Sequence, residues 1–306
     1  MEDISKKFIR RIFKNFGLKA KSSEEVAPAF MASVCQEVSD VLSLANDIEQ
    51  REASKSIHAI RVTFKRLRAY WRLISPAITK EEFREANNRI RSTAKLLAQH
   101  RDLQVMFESL EQIESLMVEK SLSKETQAYL DELKSGFEAQ IVQQEESLPD
   151  IDWNVIQKAL KKELAAWQAL SVEQDFMQTL QQGFQKTLSS CHRYALAGIA
   201  VGATSEDRHE WRKWVKHGYY QLKLLKSLGT DKGKKAIQKL DQLGNLLGKE
   251  HDFEILYLHL KAMSKKMKVG KSKKEAHKTL EKFTRQRLSH LKKQVNHLHS
   301  ELLKSW

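Results

Sequence analysis

His58-Ala-Ile-Arg61-Val-Thr-Phe-Lys65-Arg66-Leu-Arg68-Ala-Tyr-Trp-Arg72 is the stretch on which the reading of this chain turns. Wound as a helix at about 100° per residue, it puts His58, Arg61, Lys65, Arg68 and Arg72 within about 80° of one another. Ile57, Ile60, Phe64, Leu67, Trp71 and Ile74 form an apolar arc whose centre lies only about 110° away. A merely solvated face would sit opposite that arc, where water screens like charges at little cost. Here the cations border the core and lose part of their hydration. Two like charges 4 Å apart at an effective dielectric near 20 repel by about 4 kcal/mol, so such a stripe requires a counter-anion.

The pattern returns in the second half as His209-x-x-Arg212-x-x-x-Lys216, with Tyr219 in the place of Arg68 and Lys223 in the place of Arg72. Trp211, Val215, Leu222 and Leu225 answer the apolar positions. A second echo follows: Leu97-Ala98-Gln99-His100-Arg101-Asp102 corresponds to Leu247-Gly248-Lys249-Glu250-His251-Asp252. Arg91 and Lys95 share a face with Asp102, whereas their counterparts are Asp241 and Asn245, so the first half carries the more positive site. The repetition predicts an internal duplication.

The whole chain fits a helical reading. Its 306 residues include 53 Lys and Arg against 39 Asp and Glu, a net charge of +14, with 11 Gly and 3 Pro. Apolar residues recur at three and four spacing, two-residue alternation is absent, and breakers fall between periodic stretches. The expected class is all-α, with helices at 24–50, 55–75, 80–118, 123–147, 153–169, 172–200, 206–228, 232–264 and 273–303. Starts are marked by Ser22 with Glu25, Thr79 with Glu82, and Ser171 with Gln174; Gly229 and Gly270 mark stops. The expected divisions are a basic amphipathic leader (1–22), a first four-helix half (23–150), a connecting helix (151–170) and a second four-helix half (171–306). The leader has a Phe8, Ile9, Ile12, Phe13, Phe16 stripe and would lie on its own domain, a membrane surface or a partner protein.

Composition also excludes. No stretch reaches the roughly 20 apolar residues of a bilayer span, and no secretory signal follows Met1-Glu2-Asp3, which predicts a cytoplasmic protein. Cys35 and Cys191 stand alone, so neither a disulfide framework nor a thiolate zinc site is expected. His290, His297 and His299 lack a completing carboxylate, and no metal or cofactor is expected. Charge is segregated: residues 51–100 hold 12 basic and 4 acidic side chains, 101–150 hold 4 and 12, and 201–306 hold 25 and 11. The run from Lys265 to Lys274 reads as a solvated loop.

The histidine-led H-x-x-R-x-x-x-K-R-L-R helix, the following Arg101-Asp102, the repeat His209-x-Trp211-Arg212-Lys213-x-x-Lys216 and Leu247-Gly248 with His251-Asp252 together resemble the CHAD family over about residues 25–306. The resemblance implies two four-helix bundles related by pseudo-twofold symmetry, a basic central cavity or groove, and binding of inorganic polyphosphate, often at polyphosphate granules. Three departures stand out. Before the second motif only Arg193 remains of an Arg-rich stretch; Asp241 and Asn245 reduce the charge of the second half; and no E-x-E-x-K signature of a fused triphosphatase is present.

Polyphosphate offers only charge and acceptor oxygens. Arginine forks suit positioning and lysines suit point-charge attraction. Arg61, Arg68, Arg72, Arg91, Arg101 and Arg212 are the expected positioning groups, with Lys65, Lys95, Lys216 and Lys223 supplying field, His58 and His209 donating, and Arg66, Arg193 and Lys213 completing the set. Nucleic acid or another polyanion is the rival ligand, disfavoured by the few aromatics seen among the cations. A role as accessory to a phosphate-metabolising enzyme is a further alternative. No nucleophile, base or metal set points to an enzyme. If the two histidines act charged, affinity for polyphosphate rises from pH 8 to pH 6; a flat titration profile removes them from that role.

Overall fold

Three-and-four spacing of apolar residues produces helices throughout. The computed structural model describes residues 23–47, 53–97, 102–118, 122–146, 151–171, 175–229 and 234–304. The leader 1–22 and Arg101 lie outside the described residues. The helices are α1 (Ser23–Asn46), α2 (Ala53–Leu73), α3 (Lys80–Leu96), α4 (Asp102–Val118), α5 (Lys124–Glu146), α6 (Trp153–Gln168), α7 (Phe176–Ile199), α8 (Ser205–Ser227), α9 (Lys234–Lys266) and α10 (Lys271–Lys304). Among the described residues all regular structure is helical, and none of these helices is long and apolar enough to cross a membrane.

Local chemistry sets the boundaries. Thr79 and Glu82 form the expected capping box at the start of α3. Residues 80–118, expected as one helix, are two: the N–H of Leu97 folds back onto the carbonyls of Ala94 and Lys95, ending α3. The carbonyl of Leu97, freed by that ending, accepts from Arg61 of α2. The start expected near Ser171 falls instead at Asp175, whose carboxylate accepts from the N–H groups of Met177 and Gln178. A further capping box, Thr204 with Asp207, opens α8; aspartate in the role usually given to glutamate is why the sequence pattern passed over it. Gly229, at φ +108°, turns the chain out of α8 as expected, a conformation only glycine takes cheaply.

The helices sort into two compact units, and these do not follow the sequence halves. One contains α1, α2, α3, α6, α7, α8 and the start of α9 to Gly244, together with the last residues of α10 from Glu301. The other contains α4, α5, the rest of α9 and α10 to Ser300. Residues 23–150 and 171–306 each contribute to both. In the second unit Leu110, Ile113, Leu130, Phe253, Leu256, Leu280 and Leu291 form the buried core. Within it Tyr129 Oη and His277 Nδ1 lie 2.7 Å apart, and His277 Nε2 donates to the carbonyl of Leu260 at 3.0 Å. Lys273 of the lysine run pairs with Glu132 at 2.5 Å, while most of its neighbours are exposed.

The first unit positions the cationic helices. Its core packs Phe30 of α1 against Tyr70 of α2, Trp167 of α6 and Phe176 of α7. At its centre lies Glu163 of α6, 1% exposed. Trp71 Nε1 and Trp167 Nε1 donate to Glu163 Oε1, the latter at 2.9 Å. Arg89 of α3 donates to Oε2 through Nε and Nη2 at 2.9 and 2.6 Å. The segment expected as a connecting helix is thus a core element, because it carries the carboxylate that α2 and α3 share. Glu163→Ala would bury two indole N–H groups without an acceptor and leave Arg89 without its counter-charge. Loss of about 3–5 kcal/mol in denaturant unfolding is expected, with Glu163→Gln losing less.

Candidate anion-binding site

α2 and α8 cross within the first unit, and two contacts set how closely. Gln221 of α8, fully buried, donates to the carbonyl of Ala69 in α2 at 2.8 Å and to Thr187 Oγ1 in α7 at 3.0 Å. Gly183 of α7 lies against the backbone of α2, where a Cβ would fall 1.7 Å from the Leu73 carbonyl oxygen. On α2 the residues Ala69, Tyr70, Trp71 and Leu73, and Ile74 just past its end, are all buried. The cationic row therefore borders packed protein, as its angle to the apolar arc predicts, and Arg61, Lys65, Arg68 and Arg72 are each half-buried.

The densest charge gathers around Arg72. Its Nε donates to His217 Nε2 of α8 at 3.2 Å. Its guanidinium lies over the rings of Trp214, 4.8 Å from the centroid, and Phe83, 5.4 Å away. Burial, then the charge of Arg68, with Glu210 opposing and Arg91 adding, brings its pKa down to about 10. Arg68 donates to Asn87 Oδ1 at 3.1 Å, and burial and Arg91 lower its pKa, with Glu210 again opposing. Arg91 itself is exposed on α3. On α8, Lys213 pairs with Glu210 at 2.5 Å and lies 4.0 Å from Glu206. Burial works against the Glu210 carboxylate, but donation from Lys213 and the charges of Lys213 and His209 hold its pKa below the usual range. Glu210 thus stands among Arg68, Arg72 and Lys213 as a resident anion.

A second group surrounds Lys216. Its Nζ lies 3.6 Å from Asp241 and 5.3 Å from the centroid of Tyr219. Its stem rests on Gly244, where a Cβ would meet Lys216 Cε at 2.8 Å. Burial lowers its pKa; Asp241 raises it and Arg212 lowers it further. Asp241, read from the sequence as a loss of positive charge, is the partner of this lysine. Arg66 lies off the main row, 3.5 Å from Glu37 of α1, and its charge acts on Tyr219 and Tyr220.

The structure does not gather every expected residue. His58, Lys95 and Lys223 are exposed, and His209 is half-buried on α8. Arg193 is also exposed, and its guanidinium lies 4.8 Å from the Tyr194 ring centroid. Tyr194 in turn stacks on Trp214 at 6.2 Å, which links Arg193 to Arg72 through two rings. These aromatics correct the sequence picture of a site poor in rings. Trp214, Tyr194 and Phe83 lie among the cations, brought there from three different helices, which is why no single-helix pattern showed them.

His217 was also passed over, although it follows Lys216 directly. Burial pushes its pKa well below 6.5, and Arg72, Arg68 and Lys213 push the same way. The ring is therefore neutral and accepts from Arg72, whereas a protonated imidazole would add another cation to the cluster. Linkage fixes the sign: below about pH 6.5 the unfolded chain takes up a proton that the folded chain refuses, so stability falls on acidification. The slope from this one group approaches about 1.4 kcal/mol per pH unit. Unfolding titrations between pH 7.5 and 5.5 should show that fall, and His217→Gln, which keeps an acceptor without titrating, should flatten it.

A model of the CHAD domain family matches residues 36–261. Among solved structures, the fold is similar to that of PptA from Streptomyces chartreusis, with a TM-score of 0.64 at 11% sequence identity, covering 91% of this chain and 99% of that one. At that identity the likeness is one of fold. Among curated proteins no significant sequence match was found.

Proposed function

Because the chain belongs to the CHAD domain family, we propose that it binds inorganic polyphosphate along the cationic faces of α2 and α8. The observation that carries this reading is the crowding at Arg72. Half-buried cations from two helices converge with Arg91 of a third, and burial and mutual repulsion depress the pKa values of Arg68 and Arg72. A site whose cations are partly desolvated and repel one another gains stability when an anion enters, because the anion adds an attraction to each cation that offsets their mutual repulsion. A strand of phosphates, bearing about one charge per unit, meets several of these cations at once. This reading goes with a cytoplasmic protein found at polyphosphate granules.

Nucleic acid is the competing ligand, and the rings bear on it. Base recognition on a single strand uses open aromatic faces, whereas Trp214, Phe83 and Tyr194 are engaged by the guanidinium groups of Arg72 and Arg193. Polyphosphate should therefore displace DNA at lower charge concentration than DNA displaces polyphosphate. The proposed role is binding, not catalysis; phosphate release from polyphosphate, with and without divalent metal, tests that directly.

Retention on immobilised polyphosphate should weaken steeply with salt, and each lost cation contact should reduce the slope of log affinity against log salt by about 0.7. Arg91→Glu and Lys65→Glu are the informative variants, since Arg61 also binds the Leu97 carbonyl and its loss disturbs the end of α3. Each should weaken binding roughly tenfold or more. Glu210→Gln, which removes the resident carboxylate, should strengthen it several-fold. An unchanged affinity in all three variants would exclude this face.

A further inference from the structure

Beyond the end of the cationic row lies a cavity of about 310 Å³ between the C-terminal turn of α2, the start of α3, α7 and α8. That volume is at the lower end of the range for small-ligand sites. Arg72 lines it, and so do Lys80 from the first turn of α3 and Lys186 from α7. Among the described residues lining it there is no carboxylate, and neither lysine has an ion-pair partner among the described residues. A second depression, between α3 and α6, differs in this respect: Glu81 and Glu85 face the same space as Lys158 and Lys162. The first cavity is therefore selectively cationic, and its position follows from the packing. Gly183 lets α7 touch the α2 backbone at Leu73, which sets Lys186 and Thr187, one turn further along α7, beside Arg72.

Resting on the reading of polyphosphate as the ligand, we propose that this cavity holds the terminal phosphate of a linear polyphosphate, so that the chain is gripped by its end as well as along its length. Three features argue for an end group. A terminal phosphate carries about −1.5 to −2 charges and three free acceptor oxygens near neutral pH, against about one charge for an internal unit. Three cations from three separate helices converge on one concave space, where an internal unit passing along an open face would meet them only in succession. Arg72 belongs to both features, being the last member of the α2 row and a wall of the cavity, so a chain lying along the row reaches the cavity at its end.

The test compares ligands with and without ends. Wild type and Lys80→Gln/Lys186→Gln are titrated calorimetrically with linear tripolyphosphate, cyclic trimetaphosphate, orthophosphate and long-chain polyphosphate. Both lysines are exposed, so thermal unfolding of the double variant should match wild type. Lys158→Gln/Lys162→Gln serves as a control with the same change in net charge. The proposal expects the cavity variant to lose affinity for tripolyphosphate roughly tenfold, while trimetaphosphate and long chains change by less than about threefold and the control changes little for any ligand. Equal losses for the linear and cyclic compounds, equal losses in the control, or no loss would each overturn it. So would a larger loss for orthophosphate than for tripolyphosphate, which would make the cavity a site for the free ion. Failure of wild type to bind long chains would overturn the polyphosphate reading itself, and this proposal with it.

Discussion

The carboxylate of Glu163 is the constraint from which the first unit is built. Its two oxygens are shared by the indole N–H groups of Trp71 and Trp167 and by the fork of Arg89, joining α2, α3 and α6 at one buried point. A buried charge is tolerable only when its lone pairs are filled, and here they are filled by donors that also supply large apolar surfaces. Trp71 and Trp167 lie with ring centroids 4.1 Å apart. Because Trp71 precedes Arg72 in the same helix, anchoring its indole fixes the roll of α2. The row of cations is then aimed outward along one border of the core and cannot rotate into open water.

That fixed roll has an electrostatic cost, and several neighbours offset it. The Arg72 guanidinium lies over Phe83 and Trp214, a contact that stabilises a cation by about 0.5–2 kcal/mol depending on solvation. His217 gives it an acceptor that carries no charge of its own. Glu210 supplies a local negative field to Arg68 and Arg72. These arrangements keep guanidinium groups charged and held in place without neutralising them, the condition in which an incoming anion gains most. A surface of freely hydrated lysines would attract the same anion but would have to order its side chains on binding.

The two compact units show how a repeated sequence pattern can be distributed in space. α2 and α8, which carry the related histidine-led motifs, pack in the same unit through Gln221, Thr187 and the carbonyl of Ala69. Proximity of those motifs thus comes from direct helix contact. The break after Leu96 has no counterpart in α9, which runs unbroken past Leu247 and His251.

Helical class, most element boundaries and the outward angle of the α2 row were legible in the sequence, because each depends on residues three or four apart, and that spacing is the same in any helix. Cap chemistry was legible for the same reason at Thr79 and was missed at Asp175 and Thr204, where the residues stray from the commonest pattern. The roles of Glu163, His217, Trp214, Lys80 and Lys186 were not legible. Each acquires its meaning from partners on other helices: Glu163 from Trp71 and Arg89, His217 from Arg72, and the two lysines from a cavity shared by four elements. Sequence alone settled which residues could be charged, buried or helical on their own segment. Tertiary packing decided which charges face one another, because that depends on where Gly183 and Gln221 let helices distant in the chain come to rest.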